Sequence, residues 1–346
     1  MMRRILYFAA IVLAVSCVKH DKDNTPESMI ELVTEIDPSA TSKAIISGTN
    51  FVSGNTIGLF VYHSETADVN SPATMSKFSI YGERYRNVYA VNMGSSSIPW
   101  RFRFEDANSY FDDMFLLNPS EVPEGCQDGL AVLAYAPYIE DVLSIKEIPF
   151  TLGGASENMT DLMWAMPGAN YKVVPDGSQK QVPLVFKHAL SMLNIGFKCS
   201  NPNSVMKVTG ITIKKKAGGQ TMLVQSGKFD ATDGSIDNPA GVQSLKYDYS
   251  NDQYTFQYSQ DSYVYVPVLI CPQEYKADGD YELVFELNGK TLESTYPVKV
   301  NDVAGGFQPG VIYTFKFTFD NYIQFDGASV STEWIALDEN KRELEF

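Results

Sequence analysis

The clearest pattern in the sequence is Tyr281-Glu-Leu-Val-Phe-Glu-Leu287, followed by Asn288-Gly289 and then by Lys290 to Val298. Apolar and charged side chains alternate along most of the first segment, as they do in a strand that buries one face. Asn-Gly favours a type I′ turn, whose twist matches that of the strands on either side. Residues 281–298 therefore predict a β-hairpin.

Strand patterns recur along most of the chain. The other segments that carry them are Ile57 to Tyr62, Ala131 to Ala136, Val208 to Ile213, Tyr263 to Val268 and Tyr313 to Phe319. The chain has 20 Tyr and 20 Phe, and aromatic side chains fit the half-buried surface of a sheet. Helical periodicity is weak, with Ser109 to Leu117 as the only candidate. The sequence therefore predicts an all-β, antiparallel fold.

Two polar stretches are candidate domain boundaries, Pro167 to Gln181 and Cys199 to Lys207. Between them, Val182 to Phe197 alternates and predicts one long strand or two joined strands. The length of the chain suggests two domains. We expect an N-terminal domain over residues 29–200 and a C-terminal domain over residues 201–346, with the boundary placed to within about 25 residues.

The first residues have the layout of a secretory signal. Arg3 and Arg4 precede the apolar run Ile5 to Val15, which is shorter than the ~20 residues needed to span a bilayer. Cys17 follows directly, so we expect a signal peptide over residues 1–16, acylation of Cys17 and a polar lipid tether over residues 17–28. The alternative is ordinary signal cleavage after Ser16, without a lipid.

The charge of the chain argues against nucleic acid as a partner. Its 42 Asp and Glu outnumber its 27 Lys and Arg and give a formal net charge of −15, whereas nucleic-acid binding needs a basic surface. Loss of Arg3 and Arg4 with the signal would take this value to −17.

No pattern in the sequence indicates an enzyme, a cofactor or a metal. Cys126, Cys199 and Cys271 are too scattered to form a disulfide framework, and motifs for nucleophilic catalysis or phosphate binding are missing. His188 lies in an apolar alternating stretch, which predicts a core residue. Two alternatives stay open: a pair of glycosidase carboxylates, and a calcium loop formed by Asp230, Asp233 and Asp237 around Gly234.

Several segments, taken together, resemble the fimbrillin family, whose members build pili on Gram-negative surfaces. They occur in the following order: Thr41 to Gly48, Phe51 to Tyr62, Ala134-Tyr-Ala-Pro-Tyr138, Asp161-Leu-Met-Trp-Ala165, Val182 to Leu193, and Gly310 through Tyr313 to Trp334. The resemblance implies two transthyretin-like antiparallel β-sandwich domains in tandem. It also implies export as a lipoprotein to the outer membrane, at the cell surface, and assembly with other fimbrial subunits by strand exchange.

Met29 to Ile36 is an amphipathic strand pattern near the tether. Ile30, Leu32 and Ile36 fall on one side, with Glu31 and Glu35 on the other. In the fimbrillins such a strand masks a groove in the N-terminal domain until a trypsin-like protease cuts downstream of it. The matching cleavage site here is Lys43-Ala44, where the family usually has Arg before Ala. The alternative is a permanent first strand in a cell-bound adhesin or anchor.

The resemblance places a donor strand near the C-terminus, where Ser331 to Leu337 or the tail from Lys341 could pair. Stalk, tip and anchor roles stay open, as does a host or microbial surface ligand. A different class of function is a surface glycan-binding lipoprotein that does not polymerise. Exposed aromatic platforms would favour that alternative, and sequence does not report exposure.

Overall fold

The computed structural model describes residues 28–36, 50–64, 78–80, 83–94, 99–104, 112–113, 115–117, 130–155, 159–166, 179–216, 222–252, 254–274, 280–292, 295–303, 306–320 and 323–331. Twenty-five strands lie in these ranges. They are β1 (Ser28–Ile36), β2 (Thr56–Ser64), β3 (Phe78–Ile80), β4 (Val88–Asn92), β5 (Trp100–Arg103), β6 (Phe115–Leu117), β7 (Leu130–Ala136), β8 (Ile148–Thr151), β9 (Gly154–Ala155), β10 (Met163–Ala165), β11 (Gln179–His188), β12 (Ser191–Cys199), β13 (Val205–Lys215), β14 (Leu223–Phe229), β15 (Ile236–Val242), β16 (Ser244–Asp248), β17 (Thr255–Gln257), β18 (Val264–Ile270), β19 (Gln273–Glu274), β20 (Tyr281–Leu287), β21 (Lys290–Thr291), β22 (Tyr296–Pro297), β23 (Gly306–Phe307), β24 (Ile312–Phe319) and β25 (Ile323–Ser331).

The predicted all-β architecture is confirmed. Within the ranges above there is no α-helix, and the helical turns are two short 3₁₀ segments, Glu83–Tyr85 and Val300–Val303. The candidate helix Ser109 to Leu117 is wrong over its described part, because Phe115–Leu117 is strand β6. There, Phe115 and Leu117 enter the core from alternate positions, which a strand permits and a helix does not. None of the described segments is a helix long and apolar enough to cross a membrane.

One nine-stranded sheet carries most of the first half of the chain. Its order is β5-β4-β2-β7-β10-β11-β1-β6, and β3 pairs with β2. The two outer strands approach each other, since the ring centroids of Phe102 in β5 and Phe115 in β6 are 5.3 Å apart. Backbone hydrogen bonds between Phe102 and Asp112 join the chain at the same place. The sheet therefore curls around a core to which both of its ends contribute.

Two facing sheets form the centre of the second half, beside the smaller sheets β15-β14-β8 and β19-β23. The four-stranded sheet has the order β18-β12-β24-β25, and the seven-stranded sheet has β21-β20-β13-β16-β9, with β17 and β22 at its side. Aromatic rings join them: Phe285 of β20 lies 5.2 Å from Phe197 of β12 and 5.0 Å from Phe317 of β24, between centroids. This is a sandwich whose two inner faces interdigitate.

The predicted hairpin is confirmed at β20 and β21. Glu286 pairs with Thr291 and Leu287 with Lys290, which leaves a two-residue loop. Asn288 and Gly289 have φ values of 51° and 73°. Both are positive, as a type I′ turn requires.

The long alternating stretch Val182 to Phe197 is two joined strands in two different sheets. β11 belongs to the first sheet and β12 to the four-stranded sheet, so the chain changes sheets at Ala189 and Leu190. β8 and β9 also cross over, because they pair with β14 and β16 of the second half. The proposed limits 29–200 and 201–346 stay a prediction.

The two halves are packed together through β2 and β7. Leu59, Val61 and Val132 face the core of the first sheet, whereas Phe60 and Leu133 join the core that is shared with the second half. Burial on both faces explains why these strands are continuous apolar runs in the sequence. Most strand pairs are antiparallel, as expected, but β1–β11, β12–β24 and β9–β16 are parallel.

Candidate functional site

Strand β1 lies inside the first sheet, between β6 and β11. It runs parallel to β11 over eight residues, from Met29 opposite Gln179 to Ile36 opposite Phe186. On its other side it pairs with β6 only from Ser28 to Ile30. Among the described strands, Leu32 to Ile36 therefore has β11 as its one hydrogen-bonded neighbour. The C-terminal part of β1 is held mainly from one side.

The apolar face of β1 is buried. Ile30, Leu32 and Ile36 are 3%, 5% and 1% exposed, and all three belong to the core of the first sheet. Val33, on the opposite face, is 45% exposed. The amphipathic pattern of the sequence thus corresponds to a strand with its alternate side chains in the core.

Aromatic side chains surround both ends of this apolar face. Near Ile36, Phe51 makes edge contacts with Phe186 and Trp100, at centroid distances of 4.8 and 5.4 Å. At the other end, Ile30 lies opposite Phe115, whose ring also contacts Phe104 at 5.4 Å. Offset and edge-to-face rings add about 0.5–1.5 kcal/mol per pair to the burial of their area. The buried surface under β1 is called the bed of β1 below. It includes aromatic rings that contact one another as well as β1, namely those of Phe51, Trp100, Phe104, Phe115 and Phe186.

The polar face of β1 meets the polar face of β11. The Gln181 side-chain amide donates to the Glu31 carboxylate at 3.0 Å, across the parallel ladder. An exposed contact of this kind contributes little to stability compared with the buried face. The anchoring of β1 therefore depends on Ile30, Leu32 and Ile36 and on main-chain hydrogen bonds.

His188 has the core position that the sequence predicted. Its Nδ1 lies 2.8 Å from Oδ2 of Asp161, and both side chains are fully buried. His188 ends β11 opposite Met163 of β10. A pair that no substrate can reach has a structural role, which is to hold β10 and β11 together.

Two carboxylates of the acidic loop Asp230 to Asp237 accept hydrogen bonds from within the loop. Asp230 Oδ1 accepts hydrogen bonds from the amide and the hydroxyl of Thr232, at 2.8 and 2.6 Å. Asp233 Oδ1 accepts from the Ser235 amide at 2.8 Å. Over the described residues, no group of three or more His, Cys, Asp or Glu is placed to hold a metal ion. The loop is a hydrogen-bonded turn in this structure, and the calcium site stays an alternative.

The sequence profile of the fimbrillin-like family matches residues 126–334, more than half of the chain. The chain belongs to the fimbrillin-like family. No protein of curated function matches this fimbrillin-like sequence. The family match covers the second half and part of the first, and it stops short of β1.

Solved structures share the fold of this fimbrillin-like protein. A proposed cell adhesion protein from Bacteroides ovatus ATCC 8483 is 16% identical, with a TM-score of 0.54 over 91% of this chain and 99% of the other. A second, from Bacteroides uniformis ATCC 8492, is 14% identical, with a TM-score of 0.53 over 89% and 99%. At such identities the likeness concerns the fold, and it extends over nearly the whole length of both proteins.

Three of the predicted site residues lie outside the described residues. They are Cys17, the proposed lipid attachment site, and Lys43 and Ala44, the proposed cleavage site. Lipidation and processing therefore stay predictions. The residues that line the bed of β1 were not predicted as part of a site, although Leu184 and Phe186 stand out in the alternating stretch of β11. The parallel pairing of β1 with β11 could not be predicted from the sequence, because it joins segments about 150 residues apart in the chain.

Proposed function

We propose that this chain is a structural subunit or adhesin of cell-surface fimbriae, and that it assembles when a strand of a neighbouring subunit replaces β1. The observation that carries the proposal is the position of β1 inside a sheet, with three buried apolar side chains and a strand partner mainly on one side. Family membership supports the fimbrial role.

The first step of the proposed mechanism is proteolysis between Lys43 and Ala44, followed by departure of β1. Burying one Leu or Ile side chain contributes about 1.5–3 kcal/mol, so loss of three should destabilise the cut domain by several kcal/mol. Departure would also leave the edge of β11 with unpaired N–H and C=O groups. An open strand edge of this kind is a template for another strand.

The incoming strand would then have to meet two conditions. Main-chain hydrogen bonds to β11 give affinity, and alternate side chains must fill the spaces of Ile30, Leu32 and Ile36. Because donor and acceptor surfaces differ, the contact is heterologous and repeats head to tail as an open filament. The donor would come from another fimbrial subunit, with the C-terminal residues of this chain as the candidate donor for the next subunit.

Before cleavage, the subunit would be held at the outer membrane through acyl chains on Cys17, which leaves together with β1 when the chain is cut after Lys43. Each buried CH₂ contributes about 0.8 kcal/mol, so a multiply acylated cysteine can retain the protein at a bilayer. The polar residues up to Ser28 would serve as the tether. Retention of β1 in all molecules would instead fit a permanent anchor or a cell-bound adhesin.

Limited trypsin treatment of the chain from Cys17 onward tests the assembly step. Cleavage after Lys43, verified by N-terminal sequencing that begins at Ala44, should be followed by oligomers in size-exclusion chromatography. A Lys43→Ala variant should stay monomeric under the same treatment. Lys22→Ala is the matched control, because Lys22 precedes β1 and cleavage there leaves β1 attached; it should oligomerise like the wild type.

Two results would contradict the proposal. One is a product that begins at Ala44, has lost residues 28–36 and stays monomeric. The other is equal oligomerisation of the Lys43→Ala variant with β1 still attached. Either would leave the chain as a cell-bound adhesin without strand exchange.

A further inference from the structure

The outer face of the four-stranded sheet carries an aromatic and basic cluster that strand exchange does not use. It consists of Tyr263, Tyr265, Lys198, Lys316, Thr318 and Asp326, and is called the Tyr263 platform below. Tyr265 pairs with Gly196 of β12, and Gly196 pairs with Lys316 of β24. The platform therefore crosses the sheet from β18 to β25, on the side away from the core.

The ring of Tyr263 is held in place at several points. Its hydroxyl donates to Oδ2 of Asp326 at 2.9 Å, and the same carboxylate oxygen accepts the hydroxyl of Thr318. The ammonium groups of Lys198 and Lys316 lie 4.6 and 5.3 Å from the ring centroid. The ring is thus fixed before any ligand arrives, and a pre-organised contact loses less entropy on binding.

Gly196 gives the tyrosines the room to lie on the sheet. A Cβ at this position would be 2.8 Å from the Tyr265 ring and 3.2 Å from Cβ of Tyr263. Glycine inside a central strand costs stability and often marks a close approach of another group. Here the group is the Tyr265 ring. It stays half-buried, with its centroid 6.2 Å from that of Tyr263.

The charge of the platform is opposite to that of the chain. Neither lysine forms an ion pair with a carboxylate among the described residues, while Lys198 donates to the Gln260 carbonyl at 2.9 Å. The single carboxylate, Asp326, already accepts two hydroxyl groups. Two ammonium groups and one carboxylate leave a net positive site on a protein of formal net charge −15. The complementary ligand is an anion.

We propose that the Tyr263 platform binds an acidic saccharide, whose sugar ring packs against Tyr265 and whose carboxylate contacts Lys198 and Lys316, the two ammonium groups that lie over the Tyr263 ring. The C–H face of a sugar ring is apolar and matches a flat aromatic surface, while tyrosine also offers a hydroxyl. Charge-assisted hydrogen bonds from the ammonium groups select the acid. The hydroxyl groups of a sugar can donate to Asp326 and to the hydroxyl oxygen of Thr318, whose own hydrogen is donated to Asp326.

Isothermal titration calorimetry at low salt tests this on the uncut chain from Cys17 onward, so that the result does not depend on strand exchange. The probes are trigalacturonic acid, 3′-sialyllactose and neutral maltotriose. At least one acidic probe should bind, and the neutral one at least about tenfold more weakly, a difference of about 1.4 kcal/mol. The two acidic probes separate a uronic-acid polymer from a sialylated glycan as the source.

The variants Tyr263→Leu and Lys198→Gln/Lys316→Gln should each weaken binding of the acidic probe by about tenfold or more. Tyr89→Leu is the matched control, since Tyr89 lies under a cation in the same way, with Arg103 at 4.9 Å, on the first sheet; it should leave binding unchanged. If Tyr263→Leu does not fold, the lysine double variant still decides, because it changes half-buried side chains of a single surface.

Four results would overturn the inference. The first is no binding of either acidic probe, and the second is equal binding of acidic and neutral probes. The third is binding that the lysine variant does not change. Oligomerisation of the uncut chain that Tyr263→Leu abolishes would also overturn it, by assigning the platform to a second copy of the chain.

Discussion

Ile36 lies directly opposite Phe186 in the parallel ladder between β1 and β11, and the two side chains are 1% and 0% exposed. Parallel neighbours point to the same face of a sheet, so both enter the core together. Phe51 covers Phe186 from the side, at a centroid distance of 4.8 Å. Ile36, the last residue of β1, is thus buried beside the contacting rings of Phe186 and Phe51.

Shortening the buried side chains of β1 should destabilise the uncut protein. Leu32→Ala and Ile36→Ala should each lower the free energy of unfolding by about 2–5 kcal/mol, because each leaves a cavity in the core. Val33→Ala, on the exposed face of the same strand, should change it by less than about 0.5 kcal/mol. Urea denaturation followed by tryptophan fluorescence measures all three. Equal effects of Leu32→Ala and Val33→Ala would show that the buried face does not anchor the strand.

The buried face of β1 could be predicted from the sequence, whereas the strand with which β1 pairs could not. The alternation of Ile30, Leu32 and Ile36 predicts a strand and its buried face, because a side-chain period of two is a local property. The partner of that strand is not local: β1 pairs with β11, far along the chain, and in the parallel sense. Pairing over such a separation is decided by the packing of the whole sheet. The turn at Asn288-Gly289 and the pairing beside it were predictable, since they are adjacent in the chain, whereas the predicted return strand Lys290 to Val298 is divided into β21 and β22.

The same reasoning applies to the Tyr263 platform. Sequence places Tyr263 and Tyr265 in one alternating segment, but it does not bring them next to Lys198, Lys316 and Asp326. Four strands meet there, β18, β12, β24 and β25, and the role of Gly196 is clear only once the ring above it is known.

The buried cysteines should resist modification in the native protein. Burial raises the pKa of Cys271 to about 12 and also raises the pKa of Cys199. The thiolate is the reactive form, so both should stay unlabelled by iodoacetamide at pH 8 and react only in denaturant. Tryptic peptides identified by mass spectrometry give the extent of labelling at each cysteine. Rapid native labelling of Cys271 would contradict its burial.

Burial of the Cys271 thiol should also affect the stability of the protein at high pH. Since its pKa is higher in the folded state than the usual value of about 8.5, the folded protein holds the proton more tightly. This contribution is fully present below about pH 8.5 and is lost as the pH rises toward 12. A Cys271→Ala variant should therefore show a shallower loss of stability across that window than the wild type, in urea melts at a series of pH values.

Breaking the buried pair of His188 and Asp161 should destabilise the protein strongly. The two side chains are buried and 2.8 Å apart. Removing one of them leaves the other buried without this contact, which typically costs about 3–5 kcal/mol. Asp161→Leu alone should therefore be worse than Asp161→Leu with His188→Leu, in which both polar groups are removed. Thermal melts compare the variants. An additive double variant would show that the two residues act independently.

Acylation of Cys17 can be measured in cells. The apolar run that ends just before it and the polar tether that follows predict incorporation of labelled palmitate into the wild type. A Cys17→Ala variant should lose the label and leave the membrane fraction. Cys126→Ala is the control for a non-specific thioester and should label like the wild type. Equal labelling of Cys17→Ala would contradict the lipid anchor.

A peptide with the sequence of β1 should compete with strand exchange. Residues 28–36, Ser-Met-Ile-Glu-Leu-Val-Thr-Glu-Ile, carry the three side chains that fill the core next to β11. Added in excess to protein cut after Lys43, this peptide should occupy the vacated position and keep the protein monomeric. It should also raise the melting temperature of the cut form, because a ligand that binds only the folded state stabilises it by mass action.

The control peptide has Ser in place of Ile30, Leu32 and Ile36 and retains the same backbone and charges. It should neither block oligomers in size-exclusion chromatography nor shift the melting temperature, because main-chain hydrogen bonds without the apolar side chains give little net affinity. If both peptides act alike, or if neither acts on protein that has lost β1, the bed of β1 is not the place where subunits join.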